Sequence, residues 1–168
     1  LYHMMSDRRK YKNVQQAMDL WRDYMVSMGL GYKLGVDLPG EKRGLIPNAN
    51  FYDKAYNGSW NGLTVISIAI GQGEVTETPL QIANLCATIA NRGYFYTPHV
   101  ERKVKGEPLD TLYSHRHYTK VDARNYNVVV AGMRDAVIHG TCRAANRPDY
   151  MVCGKTGTAQ NRGQDHSV

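Results

Sequence analysis

The residues best suited to chemistry lie close together near the end of the chain, at Lys155-Thr156-Gly157-Thr158. They follow Met151-Val152-Cys153-Gly154, which reads as an inner strand, and lead into Ala159-Gln160. On a strand, Thr156 and Thr158 point the same way, so two hydroxyls can share one carboxylate. Gly157 removes a side chain where a substrate backbone would lie against the strand. Lys155 supplies a cation for the same anion and biases proton transfers nearby. The N–H of Thr158 is placed to donate to a developing oxyanion. This pattern suits binding and transfer of an acyl donor with a terminal carboxylate. A β-hairpin with an exposed lysine is the plainer alternative. A third is a phosphate-cradling loop, which needs glycine five positions before Gly154 and a helix directly after Thr156. Position 149 is aspartate, and Thr158-Ala159-Gln160-Asn161-Arg162-Gly163 is a poor helix start, so a nucleotide binder is disfavoured.

Other reactive residues carry less. Ser59-Trp60-Asn61 has a serine-x-asparagine spacing but sits in a turn-rich stretch. His115 and His117 have no acidic or thiol partner nearby and read as surface histidines. Cys86, Cys142 and Cys153 are odd in number, widely spaced and without a CxxC pair, so no metal site or cofactor is expected. Apolar surroundings suggest that Cys86 and Cys153 are buried free thiols. The 168 residues carry 21 Lys and Arg against 15 Asp and Glu, a surplus spread along the chain. With no basic face interleaved with aromatics, nucleic acid is a poor partner. No run of about 18 apolar residues is present to cross a membrane. The hydrophobic share of 42% is that of a globular domain able to bury a core.

Three helices must position these groups. Val14, Ala17, Met18, Trp21, Tyr24, Met25 and Met28 form an amphipathic stripe after an Asn13 N-cap, with a stop at Gly29 or Gly31. A second helix begins at Thr78, with Pro79 at its first position and Gln81 completing a capping box. Its run from Leu80 to Ala90 is apolar enough to be buried almost all round. A third runs from Asp122 to about His139, before a Gly140 stop. Residues 32–62 read as irregular, Thr64 to Ile70 as weakly alternating and β-branched, and Tyr94 to Val104 as extended. The segment from Lys105 to Lys120 reads as polar connection.

Several stretches together resemble the transpeptidase domain of class B penicillin-binding proteins. They are Gly35-Val36-Asp37-Leu38-Pro39-Gly40-Glu41, Ile70-Gly71-Gln72-Gly73, Thr78-Pro79-Leu80-Gln81, Asn91-Arg92-Gly93 and Gly154-Lys155-Thr156-Gly157-Thr158-Ala159-Gln160. Lysine-threonine-glycine is the last of three signatures in such serine acyl-transferases. The glycine-glutamine-glycine run is closer to elongation-type than to division-type members, and the division type is the alternative. A non-catalytic binding module is the other.

The resemblance implies an α+β fold, part of a penicillin-binding and serine β-lactamase-like domain, with helices packed on an incomplete antiparallel sheet. It implies that residues 1–168 are the central-to-C-terminal part of one transpeptidase domain, truncated at both ends. The family's serine-x-x-lysine is absent, and Ser59-Trp60-Asn61 falls too late for its serine-x-asparagine, so this piece alone is expected to be inactive. The implied reaction of the complete protein is D,D-transpeptidation of peptidoglycan stem peptides, with β-lactams acylating the same serine. Lys155 and Thr158 would be catalytic, and Thr156, Gly157 and Thr158 would bind substrate. The implied partners are the cell-wall elongation machinery. The implied place is the periplasmic face of the inner membrane, reached through an anchor outside these residues. A sheet left with an open edge would also favour self-association.

Overall fold

The computed structural model describes residues 1–102, 106–159, 163 and 166–167. Helices α1 (Tyr2–Met5), α2 (Val14–Ser27) and α3 (Ala49–Ala55) lead to a 3₁₀ turn at Ile66–Ile70 and helix α4 (Pro79–Ala90). Strand β1 (Tyr94–Tyr96), helix α5 (Thr111–Ser114), strand β2 (Arg116–Tyr118) and helix α6 (Ala123–Ile138) follow. A 3₁₀ turn at Arg143–Ala145 precedes β3 (Thr158–Ala159) and β4 (His166–Ser167). The fold is α+β, with antiparallel strands in two pairs, β1 with β2 and β3 with β4, among the described residues.

The core is built on α2. Asn13 accepts the Gln16 N–H at 2.8 Å while Gln16 Oε1 accepts the Lys12 N–H, so both ends of the first turn are satisfied. Val14, Ala17 and Met18 are buried against Met5, Ala49, Tyr52, Trp60, Val65 and Ile68. Each fully buried side chain of this size contributes about 1.5–3 kcal/mol. The stripe is shorter than its sequence suggests. Tyr24 is 38% exposed, because the last turns of α2 run past the cluster.

Several expectations are corrected here. Residues 32–62 are not irregular throughout: Asn48 caps α3 by accepting the Phe51 N–H, and Tyr52 and Trp60 enter the core. Asn48 behaves as a cap because apolar residues recur after it, which its turn-forming type concealed. Ile66–Ile70 is 3₁₀ and not extended, and it ends at Gly71 in the left-handed region. The polar 105–120 segment holds β2, whose Arg116 and Tyr118 pair across the ladder with Tyr96 and Tyr94. Cross-strand aromatic and cation–π contacts, with Arg116 4.6 Å from the Tyr94 ring centroid, stabilise a strand that apolar patterning does not reveal. His117 is half-buried and not fully exposed. Its ring stacks on Phe95 at 5.0 Å, and Nε2 lies 3.1 Å from Thr97 Oγ1.

A further correction concerns α4, which is capped as expected by the reciprocal Thr78–Gln81 box but is not buried almost all round. Its buried residues are Gln81, Asn84 and Thr88, while Leu80, Ala83, Cys86, Ala87 and Ala90 are exposed. The cause is what the inward face meets. Gln81 Nε2 donates to the carbonyls of Tyr32 at 2.8 Å and Arg43 at 3.0 Å, closing the 32–43 loop. Thr88 donates to the Asn84 carbonyl. Of the three, Gln81 alone donates out of the helix to backbone carbonyls, while Asn84 Nδ2 is buried beside Gly29 without a partner among the described residues. The Cys86 thiol is exposed, and Cys153 is half-buried.

Candidate active site

Helix α6 positions the chemistry-bearing segment. Asp122 caps it by accepting the Arg124 N–H at 3.0 Å. At the other end Gly140 lies so close to the preceding turn that a Cβ there would meet Ala136 Cα at 2.8 Å. Only glycine lets the chain double back at this point, and the Cys142 N–H then donates to the Ala136 carbonyl at 3.0 Å. Thr141 is thus held directly beneath the last turn of α6.

The returning segment is held on the same helix. The Gly154 N–H donates to the Met133 carbonyl at 3.0 Å. The Arg134 guanidinium donates to the Val152 carbonyl at 2.9 Å and to Asn146 Oδ1 at 3.3 Å. Val137 is fully buried, and a Cβ on Gly154 would meet it at 3.6 Å and Cys142 Sγ at 3.7 Å. Helix and segment therefore touch through backbone, guanidinium and packed side chains.

Lys155, Thr156, Gly157 and Thr158 are all exposed. The Lys155 ammonium donates to the Thr156 carbonyl. The Thr156 hydroxyl lies 3.3 Å from the Thr141 hydroxyl. Thr158 pairs with Ser167 across β3 and β4. The inner strand expected from Met151 is not formed, and Met151 is 69% exposed. Residues 151–157 are tied to α6 instead of a neighbouring strand, and ladder pairing begins only at Thr158. The sheet therefore does not fix Thr156 and Thr158 on a common face. Because a strand and no helix follows Thr156, the phosphate-loop alternative fails on geometry. Ser59-Trp60-Asn61 is structural: Trp60 is buried, and its Nε1 donates to Asp53 Oδ1 at 2.6 Å. Two cavities, of about 520 and 290 Å³, lie elsewhere, at Thr111–His117 and between α4 and β1. Residues 155–158 border open surface.

Residues 7–167 match the family described as penicillin binding protein transpeptidase domain. The chain belongs to this transpeptidase family. It is 37% identical over 150 residues to the peptidoglycan D,D-transpeptidase MrdA of Acinetobacter baumannii, a match covering 87% of this chain and 22% of that protein. The structure of Pseudomonas aeruginosa PBP2 in complex with WCK 5153 superposes with a TM-score of 0.77 at 30% identity, covering 90% of this chain and 34% of that one. PBP2 in complex with MreC from Helicobacter pylori gives 0.65 at 26% identity, covering 92% and 32%. The chain spans about a fifth of the length of the curated relatives it matches.

Within this transpeptidase-family chain, the other stretches that carried the resemblance serve the architecture. Asp37 accepts the N–H groups of Glu101 at 2.7 Å and Val100 at 3.0 Å, which hold its carboxyl below the usual range. Glu41 closes its own loop by accepting from Leu34 and Gly35. Sequence reasoning missed Arg134, Thr141 and the Met133 carbonyl. Only the Gly140-Thr141 step directly after the α6 stop hinted at them.

Proposed function

We propose that the protein containing this chain is a serine-type D,D-transpeptidase that cross-links peptidoglycan. A serine outside residues 1–168 attacks the carbonyl of a D-Ala-D-Ala stem peptide and expels D-alanine. The acyl group then passes to an amine of a neighbouring stem. Lys155 organises the field and proton transfers around the substrate carboxylate. The hydroxyls of Thr156 and Thr158 hydrogen-bond that carboxylate, and Gly157 allows the peptide backbone to approach. The Thr158 N–H is one oxyanion donor. β-Lactams acylate the same serine.

The observation that carries this reading is the exposed Lys155–Thr158 run, held on α6 inside a chain of which residues 7–167 match the transpeptidase family. An elongation role at the periplasmic face of the inner membrane, beside the cell-wall machinery, is supported by likeness to MrdA and to PBP2 in its MreC complex. The test is labelling of the intact protein by a fluorescent penicillin. A covalent band is expected, lost in the Lys155→Ala variant, and a Lys155→Ala protein that labels at the parental rate would refute the assignment. Within residues 1–168 no serine has lysine three positions on. The polypeptide of these residues alone is therefore expected to give no band, and a covalent adduct on it would overturn that expectation.

A further inference from the structure

We propose that Thr141 is a positioning residue that aims the Thr156 hydroxyl at the substrate carboxylate. The inference rests on the reading of Thr156 given above and adds a residue to it. The two hydroxyls lie 3.3 Å apart, and either can donate to the other. An anion at Thr156 removes that freedom. A carboxylate only accepts, so the Thr156 proton must go to it, and the one remaining arrangement has Thr141 donating to Thr156 Oγ1. A donor on Thr156 Oγ1 turns the Thr156 proton away from Thr141, and it polarises that O–H toward the anion. The separation is long for two hydroxyls, which fits a modest contribution to binding.

Both partners are placed by α6, which is why the contact is not a chance meeting of surface side chains. Thr141 sits between Gly140, which has no room for a Cβ, and Cys142, whose N–H is fixed on the Ala136 carbonyl. Thr156 lies two residues beyond Gly154, whose N–H is fixed on the Met133 carbonyl. Arg134 holds Val152 one turn away from Val137. Fifteen residues separate the two threonines in sequence, and the helix between them sets their distance.

The experiment uses the intact protein, a range of penicillin concentrations, and Thr141→Val, Thr141→Ser and Thr156→Val variants. It separates the apparent dissociation constant from the limiting acylation rate. Thr141→Val keeps the shape and removes the donor. It is expected to weaken binding about three- to tenfold, the loss of one modest hydrogen bond. The limiting rate and melting temperature should stay near the parental values, and Thr141→Ser should restore binding. The effect should shrink for a penicillin methyl ester, which presents no anion. If Thr156→Val weakens binding and Thr141→Val does not, the positioning role is wrong while the carboxylate site stands. If Thr156→Val changes nothing, the carboxylate site itself is wrong and the role of Thr141 falls with it. A Thr141→Val protein with lowered melting temperature and no rescue by serine would mark Thr141 as merely structural and overturn the proposal.

Discussion

Replacing Arg134 by methionine keeps an aliphatic stem on α6 and deletes the guanidinium that grips the returning segment. Two hydrogen bonds disappear, one to the Val152 carbonyl at 2.9 Å and a longer one to Asn146 Oδ1 at 3.3 Å. A charged hydrogen bond contributes a net 1.5–3 kcal/mol in favourable cases. Arg134 is only half-buried and its second bond is long, so about 1–2 kcal/mol is the appropriate scale. The Gly154 N–H keeps its bond to Met133, so the segment stays folded and opens more often. A loss of 1–2 kcal/mol raises the open population about 5–30-fold. Hydrogen exchange of peptides covering 151–158, in the intact protein, reads that factor directly. Peptides from the first dozen residues, which pack on α2, should be unchanged. Arg134→Lys retains one donor and should fall between. Unaltered protection across 151–158 in Arg134→Met would refute the reasoning, leaving the Gly154 bond and the packing of Val137 and Cys142 to hold the segment unaided.

Gln81 is 1% exposed and bonds the Tyr32 and Arg43 carbonyls and the Thr78 N–H, so Gln81→Leu strands three backbone groups. It should cost about 3–5 kcal/mol by urea unfolding, and a loss below about 1 kcal/mol would show that water replaces the side chain. Glu77 has one carboxylate oxygen buried without a partner, and burial raises its pKa from 4.5 to about 7 against the opposing Gly31 N–H. Because the folded value lies above the unfolded one, its contribution is fully present below about pH 4.5 and is lost as pH rises through about 7. Relative to Glu77→Gln, the parent should therefore be less stable at about pH 8 than at about pH 5; a difference independent of pH would count against it. The polypeptide of residues 1–168 is expected to associate through the edges of the β3–β4 pair, which no further strand covers among the described residues, and a monomeric sedimentation profile at all concentrations would argue otherwise.

Legibility in the sequence followed the range of the interaction responsible. Caps are written within four residues, and Asn13, Thr78 and Asp122 all start helices where their side chains predict. The orientation of α4 is not written locally, because it depends on which surface Gln81, Asn84 and Thr88 meet. For Gln81 that surface is the carbonyls of Tyr32 and Arg43, about 40 to 50 positions earlier. An apolar run suggests burial, yet a position that faces unpaired acceptors, as Gln81 does, is better filled by an amide. The same logic separates the two halves of the site. Lys155, Thr156, Gly157 and Thr158 stand out because their types have no packing purpose. Thr141 and Arg134 resemble ordinary surface residues of a helix and its exit. They acquire a role only because the glycine at 140 folds the chain back and sets the returning strand's lead against α6. A motif thus discloses the groups that face the ligand, while the groups that aim them are found through the backbone turn that brings them near.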